Sequence, residues 1–158
     1  MSLAERGDKL AAVRSTDEHV EQAVAAKLDA GTRWLLRREI QQLPGLLPAG
    51  EEILILAQGR VDGGTGMIVV TDARLMFFEQ GVSHRRVENV PYFEIERVEA
   101  DVSVVSSDLS VSRFVGEGLT IGRVYPKPRT MEIAEYIDAR ASAPGEPGHT
   151  LGRQPGPA

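Results

Sequence analysis

The chain is predicted to be mainly β with flanking helices: a seven-strand antiparallel barrel or sandwich, capped by a C-terminal helix and preceded by two N-terminal helices. Three observations carry this. Between Glu51 and Tyr125 short apolar runs recur, punctuated by Gly, Pro and Asp, at the spacing of an antiparallel meander. On either side of that span the apolar period lengthens to that of helices. Within it, Gly66 to Gly81 holds two apolar runs hinged on Thr71-Asp72, a hairpin signature.

Taken in order, residues 1–14 mix charges around Gly7 without a clear period and read as a flexible leader. Residues 15–44 form an N-terminal helical segment. Ser15 with Glu18 three residues on fits a capping box, Asp17 and Glu18 suit the positive end of the helix dipole, and Val20, Ala23, Val24 and Leu28 follow at helical spacing up to a stop at Gly31. A second helix is expected from about Thr32 to Leu43, with Leu36, Ile40 and Leu43 on one face and Pro44-Gly45 ending it. The β domain spans 45–141. Its first strand, from Ile53, is expected to end at Gly59, with a turn at Gly63-Gly64. Strands 66–71, 74–79, 85–90, 95–105, 109–115 and 119–125 follow, then a short helix carrying Met131, Ile133, Ala134 and Ile137. Residues 142–158, rich in Pro and Gly, cannot bury enough apolar surface to offset their ordering entropy and read as a disordered tail.

At 158 residues the chain is large enough to bury a core without staples. It has no cysteine, which excludes disulfides and thiolate chemistry and fits a reducing compartment. There is no signal-peptide pattern and no run of about 18 apolar residues, so a cytoplasmic location is expected. The net charge of -5 is not evenly spread: residues 1–44 carry seven basic and seven acidic side chains, residues 45–140 ten and fifteen. The central domain therefore repels polyanions on average, which argues against nucleic-acid binding.

Leu46-Leu47-Pro48-Ala49-Gly50-Glu51-Glu52-Ile53, Val70-Thr71-Asp72-Ala73-Arg74-Leu75-Met76-Phe77-Phe78 and Val90-Pro91-Tyr92-Phe93-Glu94-Ile95-Glu96-Arg97-Val98 come in the order and spacing of motifs in bacterial pleckstrin-homology-like domains of the short YokE type. The resemblance covers roughly residues 46–140. It implies a PH-like barrel, and it implies a fold more firmly than an activity. The two N-terminal helices depart from a minimal domain of this kind.

Catalytic constellations are absent from the pattern. His19, His84 and His149 fall on a helix, a hairpin and the tail, and no pair has zinc-ligand spacing. Ser83 and His84, adjacent on a strand, point to opposite faces and cannot form a dyad. The loop from Gly59 to Gly66 lacks the Lys-Ser/Thr of a phosphate loop. No enzyme activity, metal or cofactor is expected. Phosphoinositide-binding relatives carry basic residues on the first hairpin, where Val61-Asp62-Gly63-Gly64-Thr65 offers an acid and no base, so phosphoinositide binding is not expected either.

What remains is surface. Met67 to Val70 and Leu75 to Phe78 are apolar in succession, whereas a half-exposed strand should alternate. Both faces of this hairpin need cover: one is the barrel interior, and the other must meet the N-terminal helices or another subunit. Met67, Val69, Leu75, Phe77, Phe78, Trp34, Leu36 and Ile40 are the candidate interaction surface, and Arg33, Arg37, Arg38, Arg85 and Arg86 the candidate anion contacts. The expected function is a non-catalytic interaction module that binds a protein partner or forms a homo-oligomer. The alternative is peripheral membrane association through Trp34 and the nearby arginines.

Overall fold

The computed structural model describes residues 16–141; the leader, the Ser15 cap, His149 and the tail lie outside the described residues. Helix α1 (residues 16–27) buries Val20, Ala23 and Val24, with Leu28 just beyond it. It ends before Gly31, which instead lies inside α2 (Ala30–Leu35). The reason is Asp29, whose Oδ1 accepts the Thr32 N–H at 2.8 Å and so starts a new helix there. That same bond holds the Asp29 carboxyl below its ordinary pKa. The single helix expected over 32–43 is broken at Leu36, giving α2 and α3 (Arg37–Gln42) and then a 3-10 turn at Leu43–Gly45.

Seven strands follow: β1 (Ile53–Val61), β2 (Gly64–Thr71), β3 (Arg74–Gln80), β4 (Arg85–Pro91), β5 (Ile95–Val102), β6 (Ser107–Arg113) and β7 (Leu119–Tyr125), then α4 (Pro128–Ala141). They form one antiparallel sheet ordered β4-β3-β2-β1-β7-β6-β5, curled so that α4 packs on β5, β6 and β7. This is the predicted fold class. Several boundaries differ: β5 stops at Val102, short of the expected 105, β6 spans Ser107–Arg113 against an expected 109–115, and two further differences have a local cause. β1 runs through Gly59, because a Cβ there would collide with Ile121 and Ile68 across the barrel; the glycine permits close packing and does not end the strand. The first turn sits on Asp62 and Gly63, both at positive φ as a two-residue hairpin with matching twist requires, and Gly64 opens β2.

The Thr71–Arg74 turn is held by threonine. Thr71 Oγ1 accepts from the N–H groups of Ala73 and Arg74, each at 3.1 Å. Asp72 turns outward from this work: its Oδ1 accepts the Glu52 N–H at 3.1 Å and anchors the entry to β1. Arg74 lies over the rim, paired with Glu51 at 3.0 Å. Buried Tyr92 donates to the carbonyls of Thr71 and Arg74 and stacks edge-on with Tyr136 of α4 at 6.0 Å. Burial pushes its hydroxyl pKa up.

Two cores result. The first fills the barrel with Ile68, Val70, Leu75, Phe77, Val90, Ile95, Leu109, Ile121 and, from α4, Ile133 and Ile137. The second lies outside the hairpin, where Met67, Val69 and Met76 meet Val20, Val24, Leu28, Leu36, Leu43 and Leu47. Alternation on β2 and β3 sends odd and even residues to different cores, which is why neither strand shows a polar face.

Candidate interaction surface

The outer face of the hairpin is covered by the chain's own helices. Met67, Val69, Leu75, Phe77 and Phe78 have no exposed surface: Leu75 and Phe77 belong to the barrel core, while Met67 and Val69 meet Leu36 in the second core, with Ile40 at its margin. These seven residues therefore do not form an open surface. The helical spacing Thr32, Leu36, Glu39, Leu43 supplies the buried face of α2 and α3. Of the apolar candidates Trp34 alone stands clear: it is 67% exposed, and its neighbour Leu35 is 45% exposed.

The arginines divide in the same way. Arg37 lies 4.4 Å over the Trp34 ring and donates to the Trp34 carbonyl at 2.9 Å, so cation and indole form one unit. Arg33 and Arg38 flank it on the same two helices, Arg38 exposed and Arg33 half-buried. Arg85 and Arg86 have other duties. Arg85 covers Phe78 at 5.3 Å. Arg86 is clamped by Asp62 at 2.6 Å and Glu88 at 3.2 Å, and the Asp62 hydrogen bond raises its already high pKa further. The acid expected to weaken the first hairpin as an anion site thus also occupies the nearest base.

The histidines are apart. His19 Nε2 accepts the Ile53 N–H at 3.0 Å, tying α1 to β1, and His84 pairs with Glu79 at 3.1 Å. Among the described residues no group of three or more His, Asp or Glu could hold a metal ion, and no helix is long and apolar enough to cross a membrane.

A cleft of about 620 Å³ at the end of β7 is not among the sites the sequence predicts. Arg123 and Lys127 line it. Its signal is slight: Ile121 and Val124 are both core residues three apart, a slip in the alternation of a strand that a bulge produces.

A family model described as bacterial PH domain matches residues 47–139. No curated protein matches the chain. Among solved structures, the chain is similar to a DUF1696 family protein with a pleckstrin-homology domain from Shewanella loihica PV-4, at 20% identity over 67% of this chain and 96% of that one, with a TM-score of 0.47. It is similar to a pleckstrin homology domain from Shewanella amazonensis SB2B at 20% identity, covering 65% and 97%, TM-score 0.46. The C-terminal domain of an unknown protein from Leishmania infantum matches at 16% identity, covering 64% and 94%, TM-score 0.48.

Proposed function

Because this chain belongs to the bacterial PH domain family, we propose that it is a non-catalytic interaction module that binds protein, a second copy of itself included, through the outer face of α2. The observation that carries this reading is the exposure of Trp34 and Leu35 side by side on a helix whose other face is buried. Trp and Arg are both enriched among the residues that carry binding energy at protein interfaces. The groups that could have served acid–base chemistry support the non-catalytic part of the reading, since His19, His84 and Glu51 are each engaged in holding the fold.

Membrane association is the second reading, favoured by the same Trp34 amid Arg33, Arg37 and Arg38. One experiment separates the two. A photo-crosslinking benzoylphenylalanine in place of Trp34, in the full chain within its own cells, is expected to give a discrete protein adduct, with the same probe at Val82, itself 87% exposed, giving none. Absence of any protein adduct, together with Trp34-dependent sedimentation on anionic vesicles at low salt, would overturn the protein reading.

A further inference from the structure

Strand β7 carries one residue more than the strand beside it. Gln58 and Arg60 of β1, two apart, stand opposite Tyr125 and Gly122, three apart, which is the register of a β-bulge. The additional residue is Arg123, with φ at 50°, a left-handed conformation that glycine takes freely and arginine does not. The adjoining strand holds the bulge in place: Asp108 Oδ1 accepts the Arg123 N–H at 3.3 Å, and Ser107 Oγ donates to the Val124 carbonyl at 3.0 Å. Bulges of this kind re-aim a side chain, and here the exposed Arg123 side chain lines the cleft of about 620 Å³.

Of the charged side chains that line the cleft two are basic, Arg123 and Lys127, and one is acidic, Asp108, in a domain that is otherwise acidic. Lys127 donates to the carbonyls of Ser103 and Val104 at 2.7 and 3.0 Å, which fixes its ammonium in the wall and leaves one donor over. The Arg123 guanidinium makes no hydrogen bond or ion pair to any described residue. Tyr125 and Gln58 line the same cleft, and Val105, 93% exposed, gives it an apolar lip. A planar guanidinium fork pairs with a carboxylate through two parallel hydrogen bonds, and the volume suits a few residues of a peptide. A flat anionic bilayer fits less well. Asp108, whose Oδ1 is taken up by the Arg123 N–H, is the one acid in the cleft wall, and Asp101 faces it across β5 and β6 outside the cleft, so a flat bilayer would meet a second carboxylate that a peptide within the cleft does not.

We infer that the β7 bulge forms a docking site for an acidic peptide segment, with Arg123 as the carboxylate-binding residue and Lys127 as the fixed positive charge beside it. The inference rests on the reading of the chain as a protein-binding module and names the chemistry of the partner. It is tested by titrating the isotope-labelled full chain with a blocked hexaglutamate peptide and following backbone amides by NMR. Shifts are expected at Ser106, Arg123 and Tyr125, with none from blocked hexalysine. Arg123→Gly suits the backbone conformation, so it should fold as well as the parent while weakening hexaglutamate at least about tenfold. Unchanged affinity in Arg123→Gly would overturn the inference. Equal shifts at these amides from inorganic phosphate, or from phosphatidylserine vesicles, would overturn it too. An intact Trp34 adduct with no hexaglutamate binding removes this site alone, and the converse result removes the Trp34 face alone.

Discussion

The β2–β3 hairpin stands between two cores that are equally dry but differently built. The barrel core is assembled from strands and α4, between Ala57 and Ile137, and lies wholly within the residues that match the bacterial PH domain family. The second core takes Met67, Val69 and Met76 from the same hairpin, with Leu47, Ile53 and Leu56 beside them, but is closed over by Val20 to Leu43, which lie upstream of that match. The barrel thus belongs to the family pattern, while the helical cap is what makes an interior of a face that a shorter domain would leave to water or to a partner. The difference teaches that an unbroken apolar strand signals two coverings without naming them.

The largest expected effect breaks the barrel side. Phe77 is fully buried and packs beside Gly66, where its ring leaves no room for a Cβ. Phe77→Ala is expected to cost about 4 kcal/mol by urea denaturation, with amides of β1 to β7 and of α1 to α3 losing hydrogen-exchange protection together. Leu36→Ala tests the other side. Its cost is expected at about 3 kcal/mol, but protection should fall first in α1 to α3 while the strands keep theirs. It should also increase dye binding and self-association as Met67, Val69 and Met76 open to solvent. Uniform loss of protection in both variants would show one cooperative core and remove the distinction.

How much of this was legible before the structure depends on the range of the interactions involved. The seven strands, the C-terminal helix and the family resemblance rest on period and turn residues, which are local, and they were readable. The Thr71–Arg74 turn is where the sequence puts it, but which side chain holds it is not a local matter. Both Thr71 and Asp72 suit a turn, and Asp72 is drawn away by Glu52, twenty residues earlier. Arg86 looked like an anion contact because its neutraliser, Asp62, lies twenty-four residues upstream. Of the candidate surface, Trp34 alone proved open, since the helical period separates it from Leu36 but does not say which of the two faces the sheet. The bulge at Arg123 shows in the sequence only as a phase slip between Ile121 and Val124, too slight a signal to separate from a regular strand.

A smaller effect sharpens the account of the second core. Glu39 is 5% exposed, on the face of α3 turned toward β3, with Oε2 unpartnered among the described residues. Burial raises its pKa, and the Gln80 backbone N–H offsets part of that rise. For an acid whose folded value exceeds its unfolded one, the contribution to stability is most favourable while the group is protonated in both states, below the unfolded value. It is lost as the pH rises through the folded value. Glu39→Gln is therefore expected to stabilise by about 1 kcal/mol at pH about 8, with the gain shrinking toward zero near pH about 4. Urea midpoints at the two pH values measure it, and a gain that does not depend on pH would place the benefit elsewhere than in the buried charge.

The smallest expected effect decides what the helical cap offers to the outside. Trp34 touches Arg37 in an exposed stack, an interaction of roughly 0.5 kcal/mol at such a site, and it contributes nothing to either core. Trp34→Ala should thus change the urea-derived stability by no more than about 0.5 kcal/mol, a small fraction of the Leu36→Ala effect two residues along the same chain. A loss of several kcal/mol would mean that the indole packs as part of the second core, and the outer face of α2 would then have no anchor to present. A near-neutral result leaves the indole free to serve the α2 interface proposed above.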